Sequence, residues 1–377
     1  MGSNCSRCEL ESHNEWRQLN TVGDAPCARS GQGAVVVDDV VYIFGGCDGE
    51  AVSNDIRAFY IHTSEWQKIT HQLGPSARTS FGICLGPGVE DVTVACGCNL
   101  DTPGALADIW SFNVRHRTWT KRFDSPRALY GVSVCWNDDN LLMYGGSTGV
   151  AYSDTLYAFS LKTGNVAKIK TSGEGPSERY KQEMFVVDEN LYMCGGGAFA
   201  PAAGRMQMFK LNLTSLSWHV LEAENDISTP RAAFSCCVDS ETSKAWIFGG
   251  FSVHNNRLQA FQTFDIQRNV WNDVQTLCSP PPRAFHSMVL CKGSLLLLLG
   301  SDGDKIFDDV WKFCIRSTPP SLQMLAAKAF IKLFPTAESP AVPHELRVLI
   351  ETVRRTEHHY SGKCKKRPSI GCLLAPY

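Results

Sequence analysis

Short apolar stretches that end in a pair of glycines, or in a close variant of such a pair, recur along the chain. Each stretch is rich in Val, Ile, Leu, Phe or Tyr and has the length of a β-strand. Successive pairs lie about 50 residues apart, a period typical of propeller blades that each contain a four-stranded sheet. The six repeats therefore predict six blades. Their pairs end at Gly46, Cys98, Gly146, Gly196, Gly250 and Ser301.

Tryptophans indicate how these blades pack and how the ring closes. Four of them follow a glycine pair by 20 to 22 residues and are predicted in the outermost strands, where their rings would pack one sheet onto the next. The first tryptophan precedes the first pair, whereas the last repeat ends near Phe313 without a fourth strand. The strand over residues 15–19 is therefore expected to complete the sixth blade and remove a sheet edge. The tryptophans concerned are Trp16, Trp66, Trp119, Trp218 and Trp271.

The predicted architecture is an all-β, six-bladed β-propeller followed by a short helical region. The propeller spans residues 14–316, after an N-terminal segment of residues 1–13. The prolines at 319 and 320 end the strand pattern, and Ser321 to Phe334 is predicted to be helical. Residues 317–358 form this helical region, and the basic residues 359–377 are predicted to be a disordered tail.

Composition and charge exclude several classes of function. The 36 Lys and Arg nearly cancel the 38 Asp and Glu, so general electrostatic attraction to nucleic acid is not expected. No apolar run approaches the length of a membrane-spanning helix. Without a secretory signal, the 16 cysteines are expected in a reducing compartment, which predicts a cytoplasmic protein. Neither metal nor cofactor is predicted, and no catalytic set follows from residue spacing, so the chain is expected to be non-catalytic.

An arginine precedes the innermost strand of every predicted blade. The loop that carries it should open on the same face as the loop after each glycine pair, because successive antiparallel strands reverse direction. Six guanidiniums at one mouth would suit an anionic ligand such as a carboxylate. The alternative is structural: the arginines would bond loop carbonyls and acidic side chains and tie the blades together. The six are Arg29, Arg78, Arg127, Arg179, Arg231 and Arg283.

The predicted C-terminal helix carries an apolar stripe. Leu322, Ala326 and Phe330 lie four residues apart and share one helical face. The stripe is similar to the BC box by which substrate receptors dock on the elongin B/C adaptor, although Ala326 replaces the usual Cys. Downstream, Val342, Pro343 and Leu346 resemble the cullin-2 form of the cullin box. The alternative is an amphipathic helix that folds back onto the propeller.

Several segments together resemble the kelch domain-containing protein 10 family, whose members are kelch-propeller receptors of cullin-2 ubiquitin ligases. The likeness rests on SPRALYG from Ser125, GGSTGVAYSDTL from Gly145, PSERYKQE from Pro176, LYMCGGG from Leu191 and PPSLQMLAAKAFIKLFP from Pro319. The resemblance implies a mouth that captures the extreme C-terminus of substrate proteins, with a preference for small final residues. An arginine-lined mouth agrees with this, because a C-terminal carboxylate is a small anion on a flexible peptide.

The sequence therefore predicts a substrate-recognition subunit of a cullin-2 RING E3 ubiquitin ligase. Elongin B/C, cullin-2 and substrate C-termini are the predicted partners. The rival hypothesis is a kelch protein-interaction scaffold without a ligase link. The predicted substrate-binding residues are Arg127, Tyr130, Ser147, Arg179, Tyr180, Arg231 and Arg283.

The N-terminus matches the pattern for myristoylation. Gly2 would be exposed after removal of Met1, Ser6 stands at the consensus position, and Cys5 could receive a palmitoyl chain. Because one myristoyl chain binds membranes only marginally, the cysteine would supply the second anchor. Gly2 and Cys5 are thus predicted lipidation sites that would give peripheral membrane association, with a chance Met-Gly-Ser start as the alternative.

Overall fold

The structure is a computed structural model that describes residues 15–71, 73–88, 90–99, 104–198, 200–201, 204–225 and 227–316. The chain divides into two compact units, Met1–Ser317 and Thr318–Tyr377. The described residues belong to the first unit. The predicted adaptor-binding and cullin-binding residues, the basic tail and the lipidation sites lie outside the described residues.

The described residues form six sheets of four or five strands each. The first three blades are antiparallel, except that β2 runs parallel to β6 at the edge of blade 1. Blade 1 contains β2 (Val22–Gly23), β3 (Gly33–Val37), β4 (Val40–Phe44), β5 (Ile56–Tyr60) and β6 (Glu65–Ile69), and β1 (Trp16–Gln18) precedes it. Blade 2 contains β7 (Gly82–Leu85), β8 (Asp91–Ala95), β9 (Asp108–Asn113) and β10 (Thr118–Asp124). Blade 3 contains β11 (Ser133–Asn137), β12 (Asn140–Tyr144), β13 (Leu156–Ser160) and β14 (Val166–Lys168).

The remaining three blades repeat this pattern, and β15 runs parallel to β19 at the edge of blade 4. Blade 4 contains β15 (Ser172–Gly173), β16 (Glu183–Val187), β17 (Asn190–Cys194), β18 (Met208–Asn212) and β19 (Ser217–Leu221). Blade 5 contains β20 (Ser235–Asp239), β21 (Lys244–Phe248), β22 (Phe261–Asp265) and β23 (Val270–Asp273). Blade 6 contains β24 (Ser287–Cys291), β25 (Ser294–Leu298) and β26 (Val310–Cys314), with β1 as its fourth strand.

The innermost strands β3, β7, β11, β16, β20 and β24 each contact the innermost strand of the next blade and so surround a central channel. Apolar side chains fill the space between neighbouring sheets. Strand β25 shows the effect most clearly, since every residue from Ser294 to Leu298 is buried. A strand covered on both faces is apolar at every position rather than at alternate ones, which explains its run of four leucines.

The N-terminal strand closes the ring as predicted. Strand β1 pairs with β26, and Trp16 stands opposite Phe313. The indole of Trp16 is 1% exposed and packs against the rings of Phe248, Phe261 and Phe313 at centroid distances of 5.2 to 5.7 Å. The other four tryptophans of the pattern lie in the outer strands β6, β10, β19 and β23. The prediction of an all-β, six-bladed propeller is confirmed.

A closed ring of backbone hydrogen bonds surrounds one end of the channel. The residue two positions before each innermost strand donates its N–H to the carbonyl of the equivalent residue in the preceding blade, at 2.6 to 3.0 Å. All six residues have the left-handed conformation, with φ from 52° to 68°. A Cβ on Gly131 would lie 2.9 Å from the Tyr180 ring, so this position requires glycine. We call these residues the collar: Gly31, Ser80, Gly131, Lys181, Ala233 and Phe285.

A second ring of hydrogen bonds explains the recurring glycine pairs. The last glycine of each pair donates its N–H to a carbonyl in the loop of the next blade, at 2.8 to 3.0 Å. All six of these glycines have positive φ, and a Cβ on Gly146, for example, would lie 2.5 Å from the Val132 side chain. The bonds join Gly46 to Arg78, Gly97 to Leu129, Gly146 to Arg179, Gly196 to Arg231, Gly250 to Arg283 and Gly300 to Arg29.

Candidate functional site

The site is built on the loops that precede the innermost strands and on the loops that follow the glycine pairs. These loops open on one face of the propeller, which we call the mouth. Most of the arginines predicted to line the mouth are buried. Five of them are at most 3% exposed, so their guanidiniums do not form part of the surface that a ligand would meet. They are Arg29, Arg78, Arg179, Arg231 and Arg283.

Each buried guanidinium binds the backbone of its own blade. Nη1 donates to the carbonyl of the residue just before the last glycine of the pair, at 2.8 to 3.3 Å. Nε donates to the carbonyl two residues before the arginine, at 2.9 to 3.3 Å. The arginines therefore hold the glycine-pair loop against the loop that leads into the innermost strand. This agrees with the alternative that the arginines bond loop carbonyls rather than a ligand. The difference is that each side chain joins two loops of one blade and does not join neighbouring blades.

Three of the buried arginines also bind a carboxylate at the start of the third strand of the blade. Arg78 and Arg283 make paired hydrogen bonds with Asp108 and Asp309 at 2.6 to 3.0 Å. Arg29 binds Asp55 in the same way. Burial alone would raise the pKa of Asp55, but its hydrogen bonds with Arg29 and Ser53 outweigh this effect and lower the pKa to about 2.

Arg179 and Arg231 have no such carboxylate within the described residues. Arg231 donates instead to the Gln262 side chain at 2.5 Å, and Arg179 lies over the Phe209 ring at 5.0 Å. Burial lowers the pKa of both guanidiniums, that of Arg231 to about 10. Both residues were predicted to bind substrate at the mouth. That prediction placed their side chains at the mouth surface, whereas the structure turns them inward.

Blade 3 departs from the pattern in a way that changes the role of Arg127. Leu129, not Arg127, occupies the arginine position, since its carbonyl accepts the glycine-pair hydrogen bond and its side chain is fully buried. Arg127 stands two residues earlier and is exposed. The sequence separation from the glycine pair identifies Leu129 as the residue at this position. The arginine stands 16 residues before its carbonyl partner in blades 1, 4 and 6, and Leu129 stands equally far before Gly145.

Above each blade, three short segments pair through isolated β-bridges and form the wall of the mouth. The first segment precedes the collar residue, the second follows the glycine pair, and the third lies a few residues further along. Blade 3 contributes Tyr130, Ser147 and Tyr152 in this order, and blade 5 contributes Ala232, Phe251 and Arg257. Arg257 and Tyr152 therefore occupy equivalent positions, although the sequence gives little indication of this.

Tyrosines line the wall on blades 3 and 4. The Tyr180 ring lies 6.1 Å from that of Tyr130 and 5.3 Å from that of Tyr152, centroid to centroid. All three are partly exposed, so they present apolar surface to the mouth. Tyr130 and Tyr180, both predicted to bind substrate, thus lie together in the wall, and their part in binding stays a prediction. Ser147 is not part of this surface, because it is 1% exposed and its hydroxyl bonds within its own loop.

Two cations of the mouth lie close to one aromatic ring. Lys181 Nζ lies 5.3 Å from the centroid of the Phe285 ring, and the Arg257 guanidinium carbon lies 5.9 Å from the same centroid. Phe251 stacks on Phe285 at 5.8 Å and contacts the same guanidinium. Among the described residues, neither Lys181 nor Arg257 forms an ion pair with a carboxylate. We call Lys181, Arg257 and Phe285 the cation pair site.

The electrostatics of this site favour an anion. Burial lowers the pKa of Lys181 to about 8, and the ionised form of Glu183 would act against this decrease. Burial also lowers the pKa of Arg257, whose Nε is buried without an acceptor within the described residues. Partial burial of these two cations beside one ring costs free energy of desolvation, and a bound anion would offset part of this cost.

Sequence reasoning missed both cations for different reasons. Lys181 belongs to the collar, where the six residue types differ so widely that no pattern stands out. Lys181 could have been identified as a collar residue from its position two residues after Arg179, because the collar residue follows the arginine position by two in every blade. Arg257 lies in a loop of variable length, and only its bridge to Phe251 reveals its place in the wall.

The channel behind the collar has a volume of about 620 Å³. Among the described residues, no group of three or more His, Cys, Asp or Glu is arranged to hold a metal ion. No helix within the described part of the chain is long and apolar enough to cross a membrane.

Comparisons with known proteins place this architecture among kelch propellers. The profile of the KLHDC2/KLHL20/DRC7 Kelch-repeats domain matches residues 5–123 and 196–324, more than half of the chain. Kelch domain-containing protein 10 of Xenopus laevis is 23% identical over 350 residues, which cover 82% of this chain and 80% of that protein.

Two further relatives match over shorter shares of their length. The rat kelch domain-containing protein 10 (Rattus norvegicus) is 24% identical over 236 residues, 58% of this chain and 56% of the rat protein. Acyl-CoA-binding domain-containing protein 4 of Arabidopsis thaliana is 24% identical over 295 residues, 75% of this chain and 43% of that protein. The chain therefore spans little more than half of the rat protein.

The inward position of the arginines predicts that they act on stability rather than on ligand binding. Arg283→Met should lower the free energy of unfolding by ~3–5 kcal/mol, because it leaves the nearly buried Asp309 without its cation. Arg127→Met, at an exposed position, should change it by less than ~0.5 kcal/mol. Urea unfolding followed by circular dichroism measures both. Equal effects of the two substitutions would contradict the structural role.

Proposed function

Because the chain belongs to the KLHDC2/KLHL20/DRC7 kelch-repeat family, we propose that it is a non-catalytic substrate-recognition subunit of a cullin-2 RING ubiquitin ligase. The mouth of the propeller binds the C-terminus of substrate proteins, and the C-terminal helical region recruits elongin B/C and cullin-2. The protein brings substrate lysines close to ligase-bound ubiquitin and performs no chemistry of its own.

The cation pair site carries this proposal. A C-terminal carboxylate is a small anion that can reach between Lys181 and Arg257, where each cation can donate hydrogen bonds to it. Neither cation has a carboxylate partner among the described residues, so both have donors to offer. A bound carboxylate would give each of these partly buried cations an anionic partner and so offset part of the cost of its burial.

The surrounding wall suits a peptide rather than an isolated ion. Tyr130, Tyr152 and Tyr180 line blades 3 and 4, and Phe285 of blade 6 is likewise partly exposed. Rigid aromatic rings supply contact area at a low cost in conformational entropy, and tyrosine hydroxyls can bond the peptide backbone. The residues before the carboxylate would lie against these rings.

The adaptor-binding function is proposed from the sequence. Leu322, Ala326 and Phe330 form the apolar stripe that resembles the BC box, and Val342, Pro343 and Leu346 resemble the cullin-2 box. Both motifs occur in the expected order after the kelch repeats. A kelch scaffold without a ligase link would have the same mouth but would not capture the adaptor.

The proposed mouth can be tested with matched peptides that end in glycine or alanine, as the free acid and as the amide. Lys181→Met and Arg257→Met should each weaken binding of the free acid about 30-fold or more, the equivalent of ~2 kcal/mol for a lost partner of a desolvated charge pair. Amidation should weaken wild-type binding comparably. Fluorescence polarisation measures these affinities, and Lys168→Met on the exposed outer strand of blade 3 is the matched control. If the wild type bound the acid and the amide equally, C-terminal recognition would be excluded.

The proposed adaptor site predicts a separate loss of function. Leu322→Glu or Phe330→Glu should abolish co-purification with elongin B/C, because each places a charge in an apolar contact. Gln323→Glu adds the same charge beside the stripe and should keep capture. Peptide binding at the mouth should remain normal in all three variants. Failure of the wild type to capture elongin B/C would favour the scaffold hypothesis.

A further inference from the structure

Glu183 lines the central channel two residues beyond Lys181 of the collar. It is the first residue of β16, the innermost strand of blade 4. Among the described residues that line the channel, Glu183 is the only one with an acidic side chain, and Lys181 is the only lysine or arginine. The described lining therefore includes a single carboxyl group, which lies two residues along the chain from Lys181 of the cation pair site.

This carboxyl group has no partner within the described part of the protein. It neither accepts a hydrogen bond from another side chain or backbone N–H nor forms an ion pair with Lys181. Glu183 keeps partial exposure to the channel, although protein surrounds it on the outside. An unpaired polar group in such a place can bond a ligand that enters through the collar.

The other titratable groups near Glu183 stay neutral around physiological pH. Cysteine thiols approach it from β17 and β20, and another lies on β11, which packs against β16. Burial raises the pKa of each thiol and lowers that of the channel-lining histidine to about 3. Lys181 and Glu183 are left as the two groups that titrate there. The neutral groups are Cys135, Cys194, Cys236, Cys237 and His286.

The protonation states of Lys181 and Glu183 follow from their surroundings. Burial raises the pKa of Glu183 to about 8, and the Lys181 charge only partly opposes this. Since the pKa of Lys181 is also about 8, neutral pH leaves the ammonium charged and the carboxyl group protonated. A protonated carboxyl group has an O–H donor, as a buried acid kept neutral at an oxyanion site does.

We propose that Glu183 is a specificity-determining contact of the bound anion, which it reaches from the channel side of the collar. In its protonated form it donates a hydrogen bond to the terminal carboxylate, and in its ionised form it repels that carboxylate. This inference rests on the proposed function of the mouth. It makes substrate capture depend on pH through a residue other than the two cations.

The direction of the pH dependence follows from the sign of the charges. Deprotonation of Glu183 adds a negative charge beside the ligand carboxylate, and deprotonation of Lys181 removes a positive one. Both changes weaken binding as pH rises through about 8. The two contributions can be separated with Lys181→Arg, because arginine keeps its charge throughout this range.

The experiment measures binding of an N-acetylated peptide that ends in glycine with a free carboxylate, labelled with a rhodamine dye, at pH 7 and pH 9.5. In Lys181→Arg, affinity should fall about 30-fold between the two pH values, since a group with a pKa of about 8 keeps only ~3% of its protonated form at pH 9.5. The double variant Lys181→Arg/Glu183→Gln should show a nearly constant affinity. A flat profile in Lys181→Arg would overturn the inference.

Calorimetry on the wild type provides the second measurement, which does not depend on the arginine variant. At pH 8.5, titrations in buffers of different ionisation enthalpy should show a proton uptake that is about 0.8 proton per peptide larger in the wild type than in Glu183→Gln. Equal uptake would contradict the role of Glu183. The proposed function is judged separately by the preference of the wild type for the free acid over the amide at pH 7. That preference can persist even if Glu183 plays no part.

Discussion

The closed ring of six backbone hydrogen bonds at the collar is the constraint on which the mouth depends. Each bond joins neighbouring blades through a residue in the left-handed conformation, and the glycine pairs add a second ring of six bonds. Since both rings use backbone atoms alone, they fix the loops while leaving the collar side chains free to differ. Lys181 and Phe285 can therefore stand at equivalent positions and meet above the same channel. The left-handed conformation costs roughly 1 kcal/mol or more at each non-glycine residue, which the surrounding bonds must offset.

The buried arginines extend this constraint from the backbone to the side chains. Each one ties the loop before the innermost strand to the glycine-pair loop of its blade, and three of them neutralise a nearby aspartate. A guanidinium suits this task because its five donors reach several carbonyls at once. Under the proposed function, the positive charge that binds a ligand must therefore come from other residues. We propose that Lys181 of the collar and Arg257 of the wall supply it.

The fold could be predicted from the sequence because its determinants repeat. A period of about 50 residues, the glycine pairs and the outer-strand tryptophans each follow from packing and backbone geometry that every blade shares. The site could be predicted only in part, because it depends on where the blades differ. Sequence alone could not show that Arg179 and Arg231 turn inward, since the place of an arginine in the chain does not tell whether its guanidinium is buried or exposed. The sequence spacing shows that Leu129 replaces the arginine in blade 3. Tyr130 and Tyr180 lie together in the wall, and their part in binding stays a prediction. That Lys181 and Arg257 both lie close to Phe285 could not be predicted, because it depends on how the ring closes.

The central claim is that the cation pair site binds the carboxylate at the end of a substrate chain. A crystal structure of the propeller with a bound free-acid peptide tests it most directly. The account predicts that the terminal carboxylate lies beside the Phe285 ring, within about 3 Å of both Lys181 Nζ and the Arg257 guanidinium. A carboxylate bound at the exposed Arg127, or a peptide whose C-terminus points away from the collar, would contradict it.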